Sequence, residues 1–183
     1  MIAITQSDFQ LTELEAVKMA SAQLKRTLDH FPLVEIAKTS MKRLGFDASG
    51  GSHRSPLDHF EDACAALERP GTGGGSPVHV LIALRECINT GMGNLLQRRS
   101  TQAPASKLSG KVLSIGGQCA RRELPLDYFS NLASRADRIF DALSDGKQAQ
   151  MSRDQLKERF NNTLLFLNAF WEGLDETCLK PGK

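Results

Sequence analysis

The feature that most constrains this chain is an apolar stripe at helical spacing. Phe160, Leu164, Leu167, Trp171 and Leu174 follow one another at alternating intervals of four and three residues. An α-helix turns once every 3.6 residues, so this spacing puts all five on one face, whereas a strand would alternate every second residue. Leu156, Thr163 and Phe170 widen the face. Just before it, Ser152 and Gln155 have the spacing of a capping box, in which each side chain satisfies a backbone N–H at the open end of the helix. A face this wide, with the only tryptophan of the chain, must be covered. The centre of the core is the expected place, and a docking ridge for a partner is the alternative.

The same signal recurs along the chain. A first helix is expected from Ser7 or Asp8 through Leu14, Val17, Leu24, Leu28 and Phe31, interrupted or kinked at Pro32 because proline lacks a backbone donor. Residues 33–44 continue in helical period and stop at Gly45, which suits a left-handed cap. Ser55, Pro56 and Asp58 mark a helix start, with a capping hydroxyl, proline in the first turn and a carboxylate at the positive end of the dipole. Ser76 and Pro77 open another helix, through Leu81, Leu84, Ile88, Met92 and Leu95. Gly91 and Gly93 inside it suggest a close neighbour at that turn.

Residues 108–122 are expected to be helical, although KVLSIGG also has strand character. Pro125 is expected to start a helix with Leu126, Phe129, Leu132, Ala136, Ile139 and Leu143 on one face and Gly146 at its end. The fold expectation is therefore all-α, a helical bundle of about six helices in a single domain spanning residues 1–183, with the N- and C-terminal helices packed together. Flexible loops are expected near 45–54, 69–76, where GTGGGS lies, and 100–106.

The location expected is cytoplasmic, with no membrane contact, because no stretch approaches the apolar length of a membrane span and residues 1–10 lack the pattern of a secretory leader. Cys64, Cys87, Cys119 and Cys178 are too widely spaced for a metal knuckle or a redox dithiol and sit among apolar helical positions, so they read as free thiols in a reducing compartment. His30 and His79 lack a second ligand one helical turn away, and neither a metal nor a cofactor is expected. The glycine-rich segments do not build a phosphate loop, since Ser109-Gly110-Lys111 is followed by Val112 where a hydroxyl is required.

Charge is unevenly distributed. Residues 76–124 hold seven Lys and Arg against two Glu, while the segments on either side are slightly acidic. Arg98, Arg99, Lys107, Lys111, Arg121 and Arg122 form a basic stripe that could meet a phosphate backbone or an acidic protein. Without a ligand, the arginine pairs would still suit helix C-termini.

One short motif points elsewhere. Arg54 and His59, in RSPLDH, are separated by four residues at a helix start. This spacing resembles the R-x4-6-H signature of HEPN-domain ribonucleases, small all-α domains that often dimerise. The resemblance, confined to six residues and the helical class, implies an arginine that steadies the scissile phosphate and a histidine that transfers protons without a metal. Ser55 and Pro56 depart from the polar, amide or acidic residue usual after that arginine. The main expectation is a non-catalytic interaction or accessory subunit whose partner is another protein, in a hetero-complex or a homodimer, with nucleic acid as a further candidate. The alternative is a HEPN-like ribonuclease using Arg54 and His59.

Overall fold

The computed structural model describes residues 30–48, 54–68, 76–98, 107–144 and 151–178. The chain divides into two units, Met1–Pro32 and Leu33–Lys183, and nearly all described residues belong to the second. The seam expected at Leu14 to Leu28, its packing on the C-terminal helix, the glycines of GTGGGS and Gly146 lie outside the described residues.

Six α-helices are described: α1 (His30–Arg43), α2 (Pro56–Glu68), α3 (Pro77–Arg98), α4 (Leu108–Cys119), α5 (Tyr128–Ala142) and α6 (Arg153–Glu172), followed by a 3-10 turn at Glu176–Cys178. The class is all-α, as the periodicity requires. Pro32 stands in the first turn of α1, where helix geometry leaves backbone N–H groups unpaired and a missing donor costs little.

Local signals account for the helix ends. Gly45 adopts a φ of 67°, a conformation that penalises any Cβ. Its N–H donates to the Lys42 carbonyl and that of Phe46 to the Met41 carbonyl, both at 2.9 Å, closing α1 in a Schellman motif. At the start of α2, the Asp58 N–H donates to Ser55 Oγ at 3.1 Å and the Ser55 N–H to Asp58 Oδ2 at 2.8 Å. Ser152 and Gln155 form the corresponding box on α6.

Helix α6 lies at the centre. Leu156, Phe160, Thr163, Leu164, Leu167, Phe170, Trp171 and Leu174 are all buried, so the wide stripe is core and not a docking ridge. Trp171 meets Phe46 edge to face at 5.9 Å between ring centroids, and Phe170 meets Phe129 at the same separation. Across the C-terminal end of α6, Arg43 donates to the Trp171 carbonyl at 3.1 Å and pairs with Glu172 and Glu176. The buried Ser40 hydroxyl also donates to Glu172. Asn168 Nδ2 donates to the Leu33 carbonyl at 3.0 Å. These bonds hold α1 to α6.

Helix α2 packs along α3, α4 against α5 and α5 against α6. Gly91 is buried beneath Phe46 and Pro56, while Gly93 faces open space, so only the first marks a close neighbour. Residues 108–119 are helical; the strand character of KVLSIGG survives only as one bridge, Ala120 to Leu174, just past the end of α4. Turns at 122–127 precede α5, which starts at Tyr128 and not at Pro125. Leu126 is consequently fully exposed, contrary to its expected place in the stripe.

The α4 and α5 helices run antiparallel, held at both ends. Asp137 accepts the Ser109 N–H at 2.8 Å and its hydroxyl at 2.6 Å, capping α4 from a neighbouring helix. At the other end Gly116 leaves room for the Phe129 ring, which lies so close that an added Cβ would fall 2.2 Å from Phe129 Cγ.

Candidate functional site

The arginine and histidine of RSPLDH sit where α2 begins. Arg54 is exposed, and its guanidinium is paired with Asp62 at 2.5 Å, two turns further along the same segment. The hydrogen bond and charge of Asp62 raise the Arg54 pKa above its ordinary value. This arginine is already bound to a carboxylate of its own chain. His59 is half-buried in the first turns of α2, with its backbone N–H on the Ser55 carbonyl at 3.3 Å.

The basic segment does not present one surface. Arg98 donates to the Leu44 carbonyl at 2.5 Å and the Gly45 carbonyl at 2.9 Å, and its guanidinium lies 5.8 Å from the centroid of the Phe46 ring. A planar fork holding two carbonyls and an aromatic face has an internal task. Replacing it with alanine should leave two helix-end carbonyls without that donor and lower stability by about 2 kcal/mol, read from the urea midpoint. Arg85, in the same segment, lies over the Phe140 ring at 5.3 Å.

Lys107 and Lys111 are near the start of α4, and Arg121 and Arg122 just past its end, about 18 Å apart along a helix of twelve residues. Lys107 is exposed and Lys111 half-buried. Arg121 donates through Nε to the Leu174 carbonyl at 3.3 Å. With Arg122 it lines a shallow depression shared with Glu123, Asp175 and Glu176, where three carboxylates offset the two cations. Arg99 lies outside the described residues.

A different cationic surface emerges between α5 and α6. Arg135 and Arg138 from α5 and Arg159 and Asn162 from α6 line a groove of about 290 Å³, with Ile139, Ala142, Leu143 and Thr163 also on its lining. Arg159 is fixed in part by donating to the Ala142 carbonyl at 2.6 Å. Arg135 and Arg138 are exposed and form no ion pair with a described residue. No carboxylate lines the groove among the described residues. Sequence reasoning missed it because residues 125–183 balance eight Lys and Arg against nine Asp and Glu. The one available signal was the three-residue spacing of Arg135 with Arg138 and of Arg159 with Asn162, which places each pair on one helical face.

Other groups supply structure. Ser109, through its hydroxyl and then its N–H, lowers the Asp137 pKa; Ser55, mainly through its N–H, does the same for Asp58, and Thr177 for Asp175. A carboxylate whose folded pKa lies below its unfolded value stabilises the fold above the unfolded pKa and loses that contribution as pH falls through the folded one. The urea midpoint should therefore hold steady above about pH 5 and decline below about pH 4, with a shallower decline in Asp137→Asn. Burial pushes the Cys64 thiol up to about 12 and raises that of Cys87 as well. Neither is a thiolate near neutrality.

Among the described residues no group of three His, Cys, Asp or Glu converges to hold a metal, and no described helix is long and apolar enough to cross a membrane. The fold and this surface define a helical bundle with a cationic groove. Comparison with family models, curated proteins and solved structures finds no match for the chain.

Proposed function

We propose that this chain is a non-catalytic helical accessory subunit that works by binding another protein in the cytoplasm. The groove between α5 and α6 carries the reading. The exposed guanidiniums of Arg135 and Arg138, without an ion-pair partner among the described residues, form with the aliphatic side chain of Ile139 a surface suited to another chain. The free thiols of Cys64, Cys87 and Cys178 suit a reducing compartment.

Two observations favour this reading over its competitors. A nucleolytic arginine must be free to meet a scissile phosphate, and Arg54 is engaged by Asp62. A phosphate-binding stripe needs several cations facing one way, and Arg98 instead holds the end of α1.

The test is purification of the chain from its native cell, with size and composition measured before and after nuclease treatment. A stoichiometric protein partner that survives nuclease is the expected result. A lone monomer would overturn the proposal. RNA cleavage that disappears in both Arg54→Ala and His59→Ala, at unchanged stability, would assign the chain to the ribonuclease class instead.

A further inference from the structure

We infer that the groove between α5 and α6 takes an acidic segment of the partner protein, with its carboxylates on Arg135 and Arg138 and an apolar side chain on Ile139. This rests on the reading of the chain as a protein-binding subunit and names the chemistry of what it binds.

Charge complementarity selects the occupant. Among the described residues three guanidiniums line the groove and no carboxylate does. Arg159 is positioned by the Ala142 carbonyl, whereas Arg135 and Arg138 stand one helical turn apart on the exposed face of α5. Planar guanidiniums favour oxyanions they can bind with two parallel hydrogen bonds, and carboxylates at helical spacing on a partner would meet two arginines spaced by a turn. The remainder of the lining separates protein from nucleic acid. Half-buried Ile139 offers an aliphatic contact on the lining, which suits a leucine or methionine of an amphipathic segment. No aromatic ring lines the groove among the described residues, so those residues give single-stranded bases nothing to stack on.

The test is calorimetric titration of the full chain with a synthetic helical peptide of alternating Glu and Leu pairs. Its counterparts are the same peptide with Gln for Glu, and a single-stranded RNA of equal charge. The acidic peptide should bind, and either the Gln peptide or an Arg135→Gln/Arg138→Gln variant should weaken binding by about tenfold or more. An Arg135→Glu/Arg138→Glu variant should prefer a Lys version of the peptide. Both arginines are exposed, and a melting temperature close to that of the parent chain verifies folding.

Failure of the acidic peptide to bind, or binding indifferent to these charges, overturns the inference. So does RNA that binds more tightly than the peptide and is lost in the same variant. A native partner retained at full affinity by the Arg135→Glu/Arg138→Glu variant overturns this inference alone, because the accessory-subunit reading then stands with a different surface.

Discussion

Substituting alanine at two adjacent glycines of α4 should shift stability in opposite directions. Gly116→Ala places a methyl group 2.2 Å from Phe129 Cγ, 2.4 Å from Cδ1 and 2.8 Å from Cβ, and the Phe129 ring has nowhere to withdraw. It is buried, and Gly173, where an added Cβ would meet Phe129 Cζ at 3.0 Å, closes the space on another side. Helix propensity alone would reward the change by about 1 kcal/mol. Overlap in a packed core costs more, so α4 and α5 must separate, and a net loss of about 3 kcal/mol is expected. For a chain of this size that is a fall in Tm of about 10 °C. At Gly117 nothing lies within 4 Å of the added atom. There Ala should stabilise by up to about 1 kcal/mol. Thermal melts of the two variants, followed by circular dichroism, check the pair; equal shifts would mean that α4 and α5 are not in this contact.

Trp171→Ala should be the most damaging single truncation, at about 4 kcal/mol. The indole is 1% exposed and packs edge to face on Phe46. Phe46 in turn follows the left-handed Gly45, whose carbonyl Arg98 holds. Removing the indole opens a cavity where α6 supports the end of α1, and the backbone bonds around it prevent collapse. Trp171→Phe should lose less than half as much, because most of the aromatic volume remains. Urea titrations of the three proteins read the difference. A near-neutral Trp171→Ala would mean that the α6 face is surface after all.

Both outcomes bear on function through the groove. The Tyr128 hydroxyl donates to the Ala169 carbonyl at 2.7 Å and Arg159 donates to the Ala142 carbonyl at 2.6 Å, so α5 and α6 are tied at opposite ends. Gly116, Phe129 and Gly173 set how close α5 can come. A change there should alter the groove as well as the stability.

Much of the fold was legible in the sequence because its signals are local. Ser152 with Gln155, Ser55 with Asp58, and Gly45 each act within a few residues of themselves, and each is found at the helix end it marks. The stripe of α6 was read correctly residue by residue, since burying one face of one helix needs no knowledge of its neighbour. The readings that failed depended on something outside their own segment. Leu126 kept the period of α5, but the turns at 122–127 leave it outside the helix. The bonds of Arg98 to the end of α1 likewise depend on a segment more than fifty residues away and could not be read from its own.

The candidate site shows the same division. Arg54 and His59 were conspicuous because they are close in sequence; the groove is built from residues up to 28 positions apart, Arg135 to Thr163, on helices whose charges cancel in any local count. What the sequence determined by itself is that this chain is helical, where most of its helices begin and end, and which side chains must leave water. Those follow from periodicity and capping, which act over one or two turns. Only the tertiary structure decided which cations are spent on internal carbonyls and carboxylates and which are left facing outward together. Charge has no periodicity that names its partner, and the antiparallel pairing of α5 with α6 places Arg135 and Arg138 across from Arg159.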